Sequence, residues 1–125
     1  METNNHFYTN TMIVTEADTA VAMGSGTLPV LATPRLAALM ENAAMLAVAP
    51  TLAPGETTVG GEIAFKHLAP SGIGAQVSAT AVLDRAEGRK LLFRISAREG
   101  KTLIAEGTHT RFIVQAERFM AKVGS

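Results

Sequence analysis

Thr33, Glu41 and His67 bring together a hydroxyl, a carboxylate and an imidazole. Around one pocket these three groups suffice to hydrolyse an activated acyl group, one activating water or the hydroxyl while another positions it or donates a proton to the leaving group. Glu41 stands out first, because the helix expected over "TPRLAALMENAA" gives it only Ala37, Ala38, Ala44 and Met45 as neighbours three and four residues away. None of these can pair with a carboxylate. A carboxylate in apolar surroundings is desolvated, and desolvated titratable groups concentrate at functional sites.

Each residue also has a plain structural reading. Thr33 would serve as a helix cap, Glu41 could reach solvent at the helix edge or be met by a basic group from elsewhere in the fold, and His67 alone reads as a satisfied core histidine. Spacing sets a further condition. Thr33 and Glu41 are eight residues apart, about 12 Å of rise on a continuous helix, so they cannot hydrogen-bond if both lie on it in one subunit. Either the preceding loop folds Thr33 back, or a second chain supplies one of the two.

Other candidates are weaker. The paired glycines Gly60 and Gly61 in "VGGE" mark a bulge, or a place where a substrate approaches backbone amides that would stabilise an oxyanion. Met40 and Met45 read as core filler that could also line an acyl pocket. Ser25 and Ser71 lack the nucleophile-elbow pattern and read as turns, and His67 and His109 have no clustered carboxylates, so no metal site is expected.

The elements that must position these residues follow from local pattern. "TMIVT" (11–15) reads as a strand after an irregular start, and "AMGSGTLPVLA" (22–32) as a loop or lid. Thr33-Pro34 opens a helix that runs to about Ala49, where Pro50 and "APG" end it. From Thr57 the period changes to alternation, with turns at 69–74, 87–88 and 99–100 separating four apolar runs that read as an antiparallel meander. In "GEIAFKHLA", Ile63, Phe65 and His67 share one strand face, so the histidine points where the core residues point. The last three runs carry apolar residues on both faces, so both sides of the sheet need cover. One helix covers one side; a second subunit is expected to supply the rest.

Composition bounds the rest. A chain of 125 residues, 47% hydrophobic, fits one domain over 1–125. Eleven acidic residues balance eleven basic ones without a block of like charge, which argues against a nucleic-acid or membrane-surface partner. With no cysteine, disulfides, thiolate metal sites and a cysteine nucleophile are excluded, and a reducing compartment is compatible. The polar start lacks a signal-peptide pattern and no apolar run approaches a membrane span, so a cytoplasmic protein is expected.

Taken together, the pattern T-P-x6-E on the helix, G-G-E-x4-H on the following strand, and the ending "GTHTRFIVQAERFMAKV" resemble the hotdog-fold acyl-CoA thioesterases related to fluoroacetyl-CoA thioesterase. The resemblance spans "TMIVT" to Val123. It implies a hotdog fold, an antiparallel sheet of about five strands wrapped around one long helix, and a homodimer with active sites near the subunit interface. It also implies a threonine, a glutamate and a histidine acting on an acyl-CoA thioester, carried onto Thr33, Glu41 and His67, and a strand-start glycine lining the acyl pocket, carried onto Gly60. CoA enters as part of the substrate and no cofactor is expected. Ala22 to Val30 carries no aromatic residue, and Asn42 stands where the fluoroacetyl enzyme has tryptophan, so a short or ordinary acyl group is the expected substrate. The alternatives are a non-catalytic acyl-CoA or small-ligand binding protein, a hotdog hydratase, and a buried Glu41–His67 pair that fixes a dimer.

Overall fold

Alternation of small side chains shapes the sheet. Between Gln76 and Glu87, Val77, Ala79, Ala81 and Leu83 are buried while Ser78, Thr80 and Val82 are half-exposed, the period of two that gives a strand one covered face. The computed structural model describes residues 6–124 and contains five strands: β1 (Phe7–Ile13), β2 (Glu56–His67), β3 (Gln76–Glu87), β4 (Lys90–Glu99) and β5 (Thr102–Gln115). They form one antiparallel sheet in the order β1-β3-β4-β5-β2. The meander therefore holds for β3 to β5 only. The first of the four runs, β2, crosses to the far edge and pairs with β5, leaving its other edge unpaired among the described residues.

Three helices accompany the sheet: α1 (Ala20–Met23), α2 (Thr33–Val48) and α3 (Ala116–Lys122). The long helix α2 lies mainly over β1 and β3. Its buried Leu36, Leu39, Met40, Ala43, Ala44, Ala47 and Val48 recur at helical spacing and meet Val77, Leu83, Leu91 and Phe93 from the sheet. Among the described residues no helix is long and apolar enough to cross a membrane.

Several expectations change. The first strand begins at Phe7 and ends at Ile13, so the irregular start is shorter than the sequence suggests; residues 1–5 lie outside the described residues. Backbone pairing of residues 7–13 with Val82–Gln76 recruits polar residues that carry no strand signal of their own. The terminal helix α3 was not anticipated, although "AERFMAK" is built of good helix formers. The outer face of the sheet mixes hydroxyls with apolar groups: Thr9 bonds Thr80 at 2.8 Å and Thr11 bonds Ser78 at 2.9 Å across β1 and β3, while Phe7, Ile13 and Phe112 on the same face are exposed. On the flank of α2, Ala38 is exposed and Ala37 and Met45 are half-exposed.

Two glycines shape the β2–β5 pair. The register shifts between Gly60 and Glu62, so the glycine pair is a bulge, as its sequence suggested. At Gly107 a Cβ would stand 2.0 Å from the Ala64 carbonyl oxygen, a distance that only glycine avoids.

Candidate active site

Thr33 and His67 meet because α2 and β2 run antiparallel, which places the first residue of the helix beside the last residue of the strand. Thr33 does not cap the helix. The capping position is Ala32, which offers no side chain for the task, and Pro34 fills the first turn without an amide of its own. The freed hydroxyl is exposed and lies 2.8 Å from His67 Nδ1. The other ring nitrogen, Nε2, is buried without a partner. Burial holds the imidazole below the usual histidine range, against a smaller opposing pull from the backbone of Ala69. A neutral imidazole bonded to a hydroxyl can act as a base toward it, an arrangement able to activate an oxygen for acyl transfer. The pair opens into a cavity of about 380 Å³ walled by Ser25, Val30, Leu68 and Pro70, so the loop that precedes α2 forms one side of it.

Glu41 belongs to a second cluster. No hydrogen bond joins it to Thr33 or His67 within the chain, and it faces the bulge. A Cβ on Gly60 would stand 3.1 Å from Glu41 Oε2, 3.5 Å from Arg111 Nη1 and 3.5 Å from His109 Cε1. Gly60 is itself exposed at the bulge, but these three groups leave no room for a side chain there. The greasy helix face thus receives its basic group from β5.

Arg111 is aimed by its neighbours. Its Nε donates to Thr58 Oγ1 at 2.9 Å, its Nη2 to the Thr58 carbonyl at 3.0 Å, and its Nη1 to His109 Nε2 at 3.2 Å. His109 Nδ1 in turn donates to the Glu62 carbonyl at 2.7 Å, which places the ring proton on Nδ1 and keeps Nε2 free to accept. Burial lowers the pKa of His109, with a further push from Arg111, and opposing pulls from the Glu62 backbone and the Glu41 charge. Burial also draws Arg111 down, opposed by Glu41. Neither Arg111 nor Thr58 was singled out from the sequence, and His109 was weighed only as a metal ligand. The available signal was the alternation of β5, which sends His109 and Arg111 to the face of buried Phe93 and Leu91, where a cation needs partners.

Of the remaining candidates, Met40 is fully buried in the hydrophobic core. Met45 lines a separate cavity with Leu52, Glu56 and Thr58 near the end of α2. At Gly61 an added Cβ would meet the Phe112 ring at 2.5 Å, on the opposite side of the strand from Glu41.

The chain matches the model of the fluoroacetyl-CoA-specific thioesterase family over residues 14–117. It is 44% identical over 94 residues to a fluoroacetyl-CoA thioesterase of Streptantibioticus cattleyicolor, a match covering 75% of this chain and 68% of that protein. Among solved structures, a fluoroacetyl-CoA thioesterase superposes with a TM-score of 0.92 at 35% identity, covering 98% of this chain and 95% of the other. A thioesterase-superfamily protein from Thermus thermophilus gives 0.87 at 26% identity, covering 94% and 88%. A hot-dog-like protein from Thermanaerovibrio acidaminovorans shares the fold, at 0.82 and 22% identity over 95% and 91% of the two chains. With its sheet wrapped on one long helix, the chain is a hotdog-fold thioester hydrolase and belongs to the fluoroacetyl-CoA-specific thioesterase family.

Proposed function

We propose that this protein hydrolyses a short acyl-CoA thioester with Thr33, His67 and Glu41, and that each site draws on two subunits of a homodimer. The observation that carries the reading is the 2.8 Å contact between Thr33 Oγ1 and His67 Nδ1 beside an open cavity. The neutral imidazole accepts the hydroxyl proton, or that of a water held by the hydroxyl, as the oxygen attacks the thioester carbonyl. Returned to the departing sulfur, the same proton completes release of CoA; where the Thr33 oxygen was the attacker, His67 then deprotonates a water that cleaves the acyl–Thr33 ester, freeing the acid and restoring the hydroxyl.

Glu41 and the bulge supply the other half. Gly60 lies seven residues from His67 along β2, roughly 23 Å of strand, so one chain cannot close both clusters on one thioester. Antiparallel pairing of two free β2 edges about a two-fold between Ile63 and Ala64 would bring one copy's His67 toward the other copy's Gly60 and Glu41. It would also cover the apolar flank of α2 at Ala38. Glu41 then orients or activates the attacking group, and the Gly60 and Gly61 amides face the developing oxyanion.

The test is thiol release from acetyl, propionyl, fluoroacetyl and phenylacetyl CoA esters by the wild type, His67→Ala and Glu41→Gln proteins. Turnover is expected with the short esters and should fall by about 100-fold or more in His67→Ala. Saturable binding of every ester without thiol release would establish a binding protein instead.

A further inference from the structure

Three buried polar side chains that the reaction above does not use converge beside the bulge. Thr58, His109 and Arg111 are each more than nine-tenths buried, and hydrogen bonds join them into one unit. The direction of those bonds follows from arginine, which can only donate. His109 Nε2 therefore accepts from Arg111 Nη1 at 3.2 Å, and the ring proton sits on Nδ1, where the Glu62 carbonyl takes it at 2.7 Å. Neighbours at both nitrogens thus fix the same tautomer, and the Phe93 ring lies tilted against the imidazole with centroids 6.2 Å apart.

The unit faces a carboxylate and stops short of it. Glu41 Oε2 and Arg111 Nη1 would stand 3.1 and 3.5 Å from a Cβ on Gly60, so the two charges approach the bulge from α2 and from β5. They attract one another, and Glu41 accordingly favours the charged form of Arg111. Among the described residues, however, no ion pair or hydrogen bond joins the Glu41 carboxylate to any side chain. What resists closure is the set of bonds on the guanidinium. Thr58 grips the edge formed by Nε and Nη2, so His109 is the neighbour that restrains Nη1, the corner nearest Glu41. A direct pair would commit a Glu41 oxygen to a charge-assisted bond and withdraw it from any other partner.

Resting on the part given to Glu41 in the reading above, we infer that His109 is a positioning residue of this hydrolase: its bare Nε2 anchors Arg111 Nη1 and keeps the guanidinium from pairing with Glu41. The carboxylate is left beside a cation yet unbonded, ready to orient or activate the attacking group. His109 acts through Arg111 and contacts no reacting atom.

Two amide side chains separate the two bonds of the ring. In His109→Gln the amide oxygen reaches the place of Nε2 and still accepts from Arg111. In His109→Asn the shorter amide keeps the bond to the Glu62 carbonyl and leaves Arg111 Nη1 without its acceptor. His109→Asn should lower kcat about tenfold or more with KM held within about twofold, while His109→Gln retains most of kcat. In a Glu41→Gln background His109→Asn should cost nothing further, because the carboxylate it protects is gone. Wild-type turnover in His109→Asn, equal losses in the two variants, or an undiminished loss in the Glu41→Gln background overturns the inference. A crystal structure of His109→Asn, which needs no turnover, should show Arg111 Nη1 moved into ion-pair contact with Glu41; a guanidinium in its wild-type place overturns the inference as well. Full turnover in Glu41→Gln alone would refute the part given to that carboxylate in the reaction, while the place of Arg111 in the His109→Asn crystal still decides what His109 holds.

Discussion

His67 and Gly60 carry the sharpest predictions at the level of single residues. Burial lowers the pKa of His67, so the imidazole is neutral and basic at pH 7. The acid limb of kcat/KM should accordingly fall below the ordinary histidine value of about 6.5. A limb above pH 7 in a pH–rate profile would exclude His67 as the base. Gly60 is required for space, since its backbone has no positive φ and the obstacle to a side chain is Glu41 Oε2 at 3.1 Å. Gly60→Ala should keep its melting temperature within a few degrees and lose about tenfold to a hundredfold in turnover, because it displaces the carboxylate. Loss of fold with unchanged specific activity would reverse that assignment. Glu41 was legible as an anomaly, but its partners were not, because Arg111 and Thr58 are 53 residues apart and converge only through the β2–β5 register.

Among the elements, β2 decides most. It carries the bulge, ends on His67 and presents the free edge, and it is held through β5 alone within the sheet. Gly107 lets the two strands approach, and Gly107→Ala would drive a methyl group into the Ala64 carbonyl. That variant should lose at least about 3 kcal/mol in urea unfolding. A loss under 1 kcal/mol would mean that β2 shifts to make room. Strong alternation made β2 to β5 legible in the sequence, and Thr33-Pro34 marked the start of α2. The strand order was not legible, because the crossover of β2 depends on long-range pairing that no local pattern encodes. The Thr33 hydroxyl was legible as a candidate, but its contact with His67 was not, since threonine before proline also signals a cap and only the fold brings the two side chains together.

For the whole molecule, acid should act in two stages. His67 and His109 have lowered pKa values in the fold, so below about pH 6.5 the unfolded chain takes up protons that the native state refuses, and stability falls with pH. Asp18 is lowered as well, first by the Thr15 amide and further by Arg35, and the stability it contributes above its unfolded value of 3.8 is lost as pH drops through the native value. Urea midpoints at pH 7.5, 5.5 and 3.5 should decline in that order; a higher midpoint at 5.5 than at 7.5 would contradict the histidine assignment. Dimer formation is tested at the α2 flank, where Ala38→Glu should give a monomer by sedimentation velocity and abolish turnover together. A monomer with full activity would confine the site to one chain.

The terminal helix α3 buries none of its residues and is seven residues long, shorter than a helix that holds itself together in water. Its amides should exchange with deuterium orders of magnitude faster than those of α2, measured by native-state hydrogen exchange.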